Sequence, residues 1–263
     1  MSPMHTIQTA VSGHITTIWL NLPRTRNAID SQMAAELSTL LGKLEQDEQV
    51  RVVVLRGRGK AFCAGADLHW MNDQGLKPDK KPSYVLPRLF MSLFGFPKPL
   101  LAVVHGAAMG GAMGLIACAD FVLATEDARF AFSEVRLGLV PATISPFVIR
   151  RTGEFRARQL MLTGAELDAE LAREAGLVDI ALSSDQLEDR LGELCNQLTG
   201  NAPGAVKTSK QLLIHIAGKG LNNDLLDHTS IVLEKTRQGR EAEEGIRAFI
   251  EKRKPGWKND LTP

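Results

Sequence analysis

The sequence predicts an α/β domain on a mostly parallel sheet, followed by a layer of helices. Two observations carry this. Short β-branched runs such as VRVVVLRG and LLAVV alternate with stretches of helical periodicity, the order that parallel sheets with crossover helices produce. From about Asp185 the strands stop and four helical patterns follow in succession.

Taken in order, TIQTAV and HITTIWLNLP alternate apolar and polar residues across Ser12-Gly13, which predicts a first hairpin. Asp30 is placed to cap a helix over MAAELSTLLGKLEQ, and VRVVVLRG then reads as a buried parallel strand. The same order recurs in YVLPRLFMSLFGF, a helix expected to break near Pro87, then strand LLAVV, the glycine-rich stretch AAMGGAMGLIACAD and strand DFVLAT. SDQLEDRLGELCNQLTG, PGAVKTSKQLLIHIAG, NDLLDHTSIVLEKTRQ and EAEEGIRAFIEKRKPGW supply the closing helices, punctuated by Pro203 and by Gly218 or Gly220. The expected division is a core over 1–184 and a helical region over 185–263. The polar loop Asn72 to Ser83 reads as a flap over a site.

The chain has 263 residues, enough for one sizeable core, and its 31 Lys and Arg balance 30 Asp and Glu. No overall field therefore points to nucleic acid or an acidic membrane, and a charged ligand must be met locally. Cys63, Cys118 and Cys195 are widely spaced and unpaired in sequence, which argues against a disulfide framework or a zinc site. With no signal-like start and no membrane-length apolar run, a soluble cytoplasmic protein is expected.

Two strand-to-helix turns look alike. One passes through Gly57 and Gly59 to Ala64, Gly65, Ala66 and Asp67; the other passes through Gly106 to Gly110 and Gly111. Small residues at such turns let backbone N–H groups approach a ligand. Close packing accounts for either turn alone, whereas two side by side can hold one oxygen and stabilise charge that develops on it. Neither turn fits a Walker loop or G-x-G-x-x-G. In FAFSEVRLGLVP, Glu134 lies between an apolar strand and an apolar turn. Desolvated, it would exchange protons near neutrality; solvated, it would be a capping residue. His69 and His105 lie near the turns but are weaker nominees, since a lone histidine is more often a packing residue, and Ser133 and Ser145 lack a nucleophile elbow.

Taken together, NLPRTRNAID, GRGKAFCAGADL, VHGAAMGGAMGL, FSEVRLGLVP, REAGLVD and EGIRAFIEKRKPGW resemble the enoyl-CoA hydratase/isomerase (crotonase) family over nearly the whole chain. The resemblance implies a crotonase-like spiral of ββα units with a C-terminal helical trimerisation region, assembled as a homotrimer or a dimer of trimers. It implies that Ala66 and Gly111 form an oxyanion hole around a thioester carbonyl and that Glu134 is the catalytic acid/base. Ala64, Asp67 and Leu68 would line the coenzyme A path, Arg24, Arg26 and Ala28 would lie near its nucleotide, and Phe249 and Lys252 would complete the site, often from a neighbouring subunit. The thioester is substrate, and no metal or redox cofactor is called for.

The second glutamate of straight-chain hydratases falls at Gly114 here, which leaves one carboxylate. ADLHWM and ATISPFVIRR resemble the branch acting on 3-methylglutaconyl-CoA or isohexenylglutaconyl-CoA, in leucine or acyclic terpene breakdown. The expected activity is hydration of such a thioester; Arg136, Arg88 and Lys98 are candidates by charge and position for its distal carboxylate, though each reads more readily as a surface or CoA-facing cation. An enoyl-CoA isomerase, which needs one glutamate, is the alternative; a non-catalytic RNA-binding member lacks the basic, aromatic-interleaved stripe that role requires.

Overall fold

The structure, a computed structural model, describes residues 4–73 and 83–261. It opens with the expected hairpin, β1 (Ile7–Ser12) antiparallel to β2 (Ile15–Leu20), followed by a 3-10 turn over Pro23–Thr25. Asp30 caps α1 (Ser31–Gln46) by accepting the Met33 N–H. β3 (Val52–Gly57), β4 (Ala61–Cys63) and α2 (Leu68–Asp73) form the first strand, strand, helix unit. After α3 (Val85–Phe94), a second unit contains β5 (Leu100–Val104), β6 (Ala107–Met109) and α4 (Ala112–Ala117). β7 (Phe121–Thr125) and β8 (Arg129–Ala131) begin a third, which ends in a 3-10 turn over Ser133–Leu137.

Next come α5 (Ser145–Thr152), α6 (Glu154–Thr163), β9 (Glu166–Leu167), α7 (Ala169–Glu174) and β10 (Ile180–Leu182). The four closing helices are α8 (Ser184–Thr199), α9 (Pro203–Ile216), α10 (Asn223–Arg237) and α11 (Arg240–Ile250). This is the crotonase-like spiral.

Each unit sends its long strand to one sheet and its short strand to another. The larger sheet runs β1-β2-β3-β5-β7-β10 and the smaller β4-β6-β8-β9. β2, β3, β5, β7 and β10 pair in parallel, as the β-branched runs predicted. Strand alternation splits the core in two. Val53, Leu55, Leu100, Ala102 and Val122 face α1, α3 and α4, whereas Val52, Val54, Leu101, Val103 and Leu123 meet Leu187, Leu191, Leu194 and Cys195 of α8. The C-terminal segment therefore closes the second face of the sheet. α9 is tied down by Lys210, whose ammonium donates to Lys98 O (3.1 Å) and ion-pairs with Asp120 (2.6 Å).

Two expectations change. α3 runs unbroken through Pro87, which stands third in the helix, where no intrahelical hydrogen bond exists to be lost. The glycine-rich stretch, expected as a turn leading into a helix, opens with strand β6, because Ala107, Ala108 and Met109 pair with Arg129, Phe130 and Ala131. The expected flap lies largely outside the described residues. Among the described residues no helix is long and apolar enough to cross a membrane.

Candidate active site

The first amide turn is held by a short parallel zip. Ala64 N–H donates to Arg26 O (2.9 Å), Ile29 N–H to Gly65 O (2.7 Å) and Asp67 N–H to Ile29 O (2.9 Å). These bonds bring the segment carrying Arg24, Arg26 and Ala28 against the turn of Ala64, Asp67 and Leu68. Arg24 and Arg26 are exposed, Ala28 is buried and Leu68 is exposed.

The residue that organises this junction is one the sequence reading missed, Asn27. It is fully buried, accepts the Leu22 N–H (2.9 Å) and donates its amide to Arg58 O, Ala61 O and Phe62 O. The three carbonyls it donates to lie more than thirty positions downstream, so no local pattern reveals those bonds.

The two turns meet at Gly65 and Gly111. Gly65 has φ of +96°, and a Cβ there would stand 2.6 Å from Met109 O; a Cβ on Gly111 would stand 3.2 Å from Ala66 N. Gly110, at φ of +51°, gives its own N–H to Ala131 O (2.8 Å) and turns the chain so that the next N–H is left over. No backbone acceptor for the Ala66 or Gly111 N–H is present among the described residues. Two unspent donors therefore stand side by side, the arrangement that binds a carbonyl oxygen gaining negative charge, with one such donor worth about 3 kcal/mol in a transition state. Beneath them Cys63 accepts the Gly65 N–H through Sγ (3.4 Å). Burial pushes its thiol up to about 12, so it packs rather than attacks.

Glu134 stands over the second turn. Its Oε1 would lie 3.4 Å from a Cβ on Gly110, and its Oε2 is buried without a partner. Burial raises its carboxyl above the ordinary range, so the desolvated alternative is the one that holds. Leu139 N–H donates to Glu134 O (3.0 Å) and closes the turn that aims the side chain.

Gly114 has no space for a side chain. A Cβ there would meet Ile144 Cγ2 at 2.6 Å and Phe90 Cε1 at 2.7 Å, both from buried residues. Gly114 is thus closed by an apolar wall, while Glu134 is the carboxylate beside Gly110.

The remaining nominees separate. Lys98 donates to Leu44 O and Asp47 O (2.6 Å each), which spends it on the C-terminal end of α1 and removes it as a partner for a distal carboxylate. Arg88 lies 6.0 Å from the centroid of the Tyr84 ring, and Arg136 is exposed on the turn that carries Glu134. His105 sits 2.9 Å from Gly59 O, a packing role, and His69 is exposed. Phe249, 85% exposed on α11, and Lys252 just beyond it form no described hydrogen bond or ion pair with the amide turns.

Two free amides side by side, next to one desolvated carboxylate, form an arrangement that can polarise a carbonyl and move a proton at a neighbouring carbon. The chain belongs to the enoyl-CoA hydratase/isomerase family, whose model matches residues 10–260, and it is an enzyme of the enoyl-CoA hydratase type. It is 37% identical over 246 residues to a putative enoyl-CoA hydratase of Thermus thermophilus, covering 92% of this chain and 97% of that one. It is 32% identical over 242 residues to the 2,3-dehydroadipyl-CoA hydratase of Escherichia coli, covering 91% and 93%. The crystal structure of an enoyl-CoA hydratase from Shewanella pealeana superposes with a TM-score of 0.91 at 36% identity, covering 97% of this chain and 96% of that one.

Proposed function

We propose that the protein adds water to a branched, 3-substituted glutaconyl-CoA, either isohexenylglutaconyl-CoA or 3-methylglutaconyl-CoA, in terpene or leucine catabolism. The carrying observation is the desolvated carboxylate of Glu134 beside Gly110, with no second carboxylate at Gly114, which Phe90 and Ile144 wall off. Ala66 and Gly111 N–H groups hold the thioester oxygen. Glu134 takes a proton from water as its hydroxyl adds to Cβ, enolate charge collects on the held oxygen, and the proton then passes to Cα. Water supplies both added groups, so the reaction needs no metal or redox cofactor. A relative named for a dicarboxylic thioester, 2,3-dehydroadipyl-CoA, supports a substrate with a distal carboxylate.

The site is completed in a homotrimer or a dimer of trimers. This is supported by Leu213, Leu226, Ile231 and Phe249, large apolar side chains left exposed on α9, α10 and α11. Three buried, free cysteines suit a cytoplasmic setting.

The test compares kcat/KM for crotonyl-CoA, 3-methylglutaconyl-CoA and isohexenylglutaconyl-CoA. Preference for a branched glutaconyl thioester is expected, and preference for crotonyl-CoA overturns the reading. The single carboxylate also suits double-bond isomerisation. A 3-enoyl-CoA converted in deuterated water to a conjugated product with no hydroxyacyl-CoA would favour that reaction.

A further inference from the structure

We infer that Trp70 is a specificity-determining residue, its indole N–H donating to the distal carboxylate of the acyl group. The inference rests on the substrate class proposed above. Trp70 Nε1 is buried and has no hydrogen-bond partner, a costly state for a donor unless a ligand supplies the acceptor. Of the other buried polar atoms left unpaired, those of Thr16 and Arg56 belong to strands β2 and β3, whereas Trp70 and Glu134 sit on the elements that frame the active site.

Position points the same way. Asp67 accepts the Trp70 backbone N–H (2.8 Å) and starts α2 directly after Ala66, so Trp70 stands one turn beyond the first oxyanion donor. Long side chains in a helix lean over the turn on their N-terminal side, which for Trp70 is the Ala66–Asp67 turn. The substrate's other demands are already met. Ala66 and Gly111 serve the thioester oxygen and Glu134 serves the water. Lys98 is spent on α1, while Arg88, 6.0 Å from the Tyr84 ring centroid, and Arg136 are exposed to solvent. On the elements that frame the site, the Trp70 N–H is the buried donor still without an acceptor among the described residues, and the distal carboxylate supplies one.

The experiment measures binding of two unreactive thioesters, glutaryl-CoA with a distal carboxylate and butyryl-CoA without one, to wild type and to Trp70→Phe by calorimetry. Phenylalanine keeps one apolar ring and removes the pyrrole portion with its N–H, a packing loss that falls on both ligands alike, and an unchanged thermal midpoint confirms the fold. The variant is expected to bind glutaryl-CoA roughly tenfold more weakly, one hydrogen bond to a charged acceptor, and butyryl-CoA within about twofold of wild type. Equal weakening of both ligands, or of neither, overturns the assignment. Wild-type turnover of the thioester panel decides the substrate class separately, so the two failures are distinguishable.

Discussion

Oε1 of Glu134 lies 3.4 Å from the point a Cβ on Gly110 would occupy, which holds the carboxylate one residue from the Gly111 N–H. The carboxylate and the free amide thus come from two different turns that meet at Gly110. Glu134→Gln should lower kcat by about 100-fold to 10,000-fold with the fold intact, the usual contribution of a placed acid/base. Single-turnover kinetics on whichever thioester the wild type prefers checks it; a loss under tenfold would remove Glu134 from the chemistry.

The raised pKa of Glu134 gives a second, independent signature. Activity needs the ionised form to accept a proton from water, so kcat/KM should fall on the acid side with an inflection above the ordinary 4.5. The stability trend has the opposite sense. Between 4.5 and the raised value the folded state binds more protons than the unfolded state, so stability decreases as pH rises through that window and then levels off. Glu36 and Glu244, held well below the usual carboxylate range, contribute the opposite slope, so the test is the difference between wild type and Glu134→Gln, measured as denaturant midpoints against pH. Wild type minus variant should fall with rising pH across the window; a difference that rose would mean that the carboxyl is not desolvated.

Gly65 separates backbone strain from site geometry. Alanine there meets a φ of +96° and places its Cβ 2.6 Å from Met109 O and 3.2 Å from Gly111 N, which forces the two amide turns apart. Gly65→Ala should cost about 100-fold in kcat, comparable to losing one oxyanion donor. Gly13→Ala is the control, because Gly13 has φ of +53° but nothing within 4 Å. It should lower the thermal midpoint through strain of about 1 kcal/mol and leave kcat unchanged. Equal kcat losses in both variants would assign the effect to strain alone.

Much of this arrangement is visible in the chain before any coordinate. Val52–Gly57 and Leu100–Val104 are long enough for β-branched patterning to declare them, and the four closing helices carry their period and their punctuation. Strands β4, β6, β8 and β9 are not visible, since two or three residues hold no period and pair only because the long strands deliver them. The same divide runs through the site. The small residues at Ala66, Gly110 and Gly111 announce exposed amides. The burial of Glu134, the walls around Gly114 and the bonds of Asn27 come from partners distant in sequence.

Gly114 marks the place where a second carboxylate is sterically refused. Gly114→Ala overpacks a contact with Phe90 and Ile144 at 2.6 to 2.8 Å and should cost about 1–3 kcal/mol, a drop of several degrees in thermal midpoint. Phe90→Leu removes the ring atoms that crowd the site, so the double variant should be more stable than the sum of the two single losses predicts. Strict additivity would show that Phe90 is not the wall. Gly114→Glu should destabilise further without raising hydration of crotonyl-CoA, because an unpaired carboxylate would enter an apolar wall.

Asn27 joins the segment carrying Arg24, Arg26 and Ala28 to the first amide turn, and its loss should be felt at both. Alanine would leave the Leu22 N–H and three carbonyls without their partner and keep a left-handed φ of 58° that alanine tolerates poorly. The combined cost is about 3 kcal/mol. Because Arg26 O and Ile29 O hold Ala64 and Asp67, loosening this segment should also raise KM for the CoA thioester more than it lowers kcat. Asn27→Gly tolerates the backbone angle but not the lost hydrogen bonds, so it should recover about 1 kcal/mol of stability and none of the KM. A glycine variant that restored KM as well would show that the backbone angle, rather than the side-chain bonds, holds the binding path together.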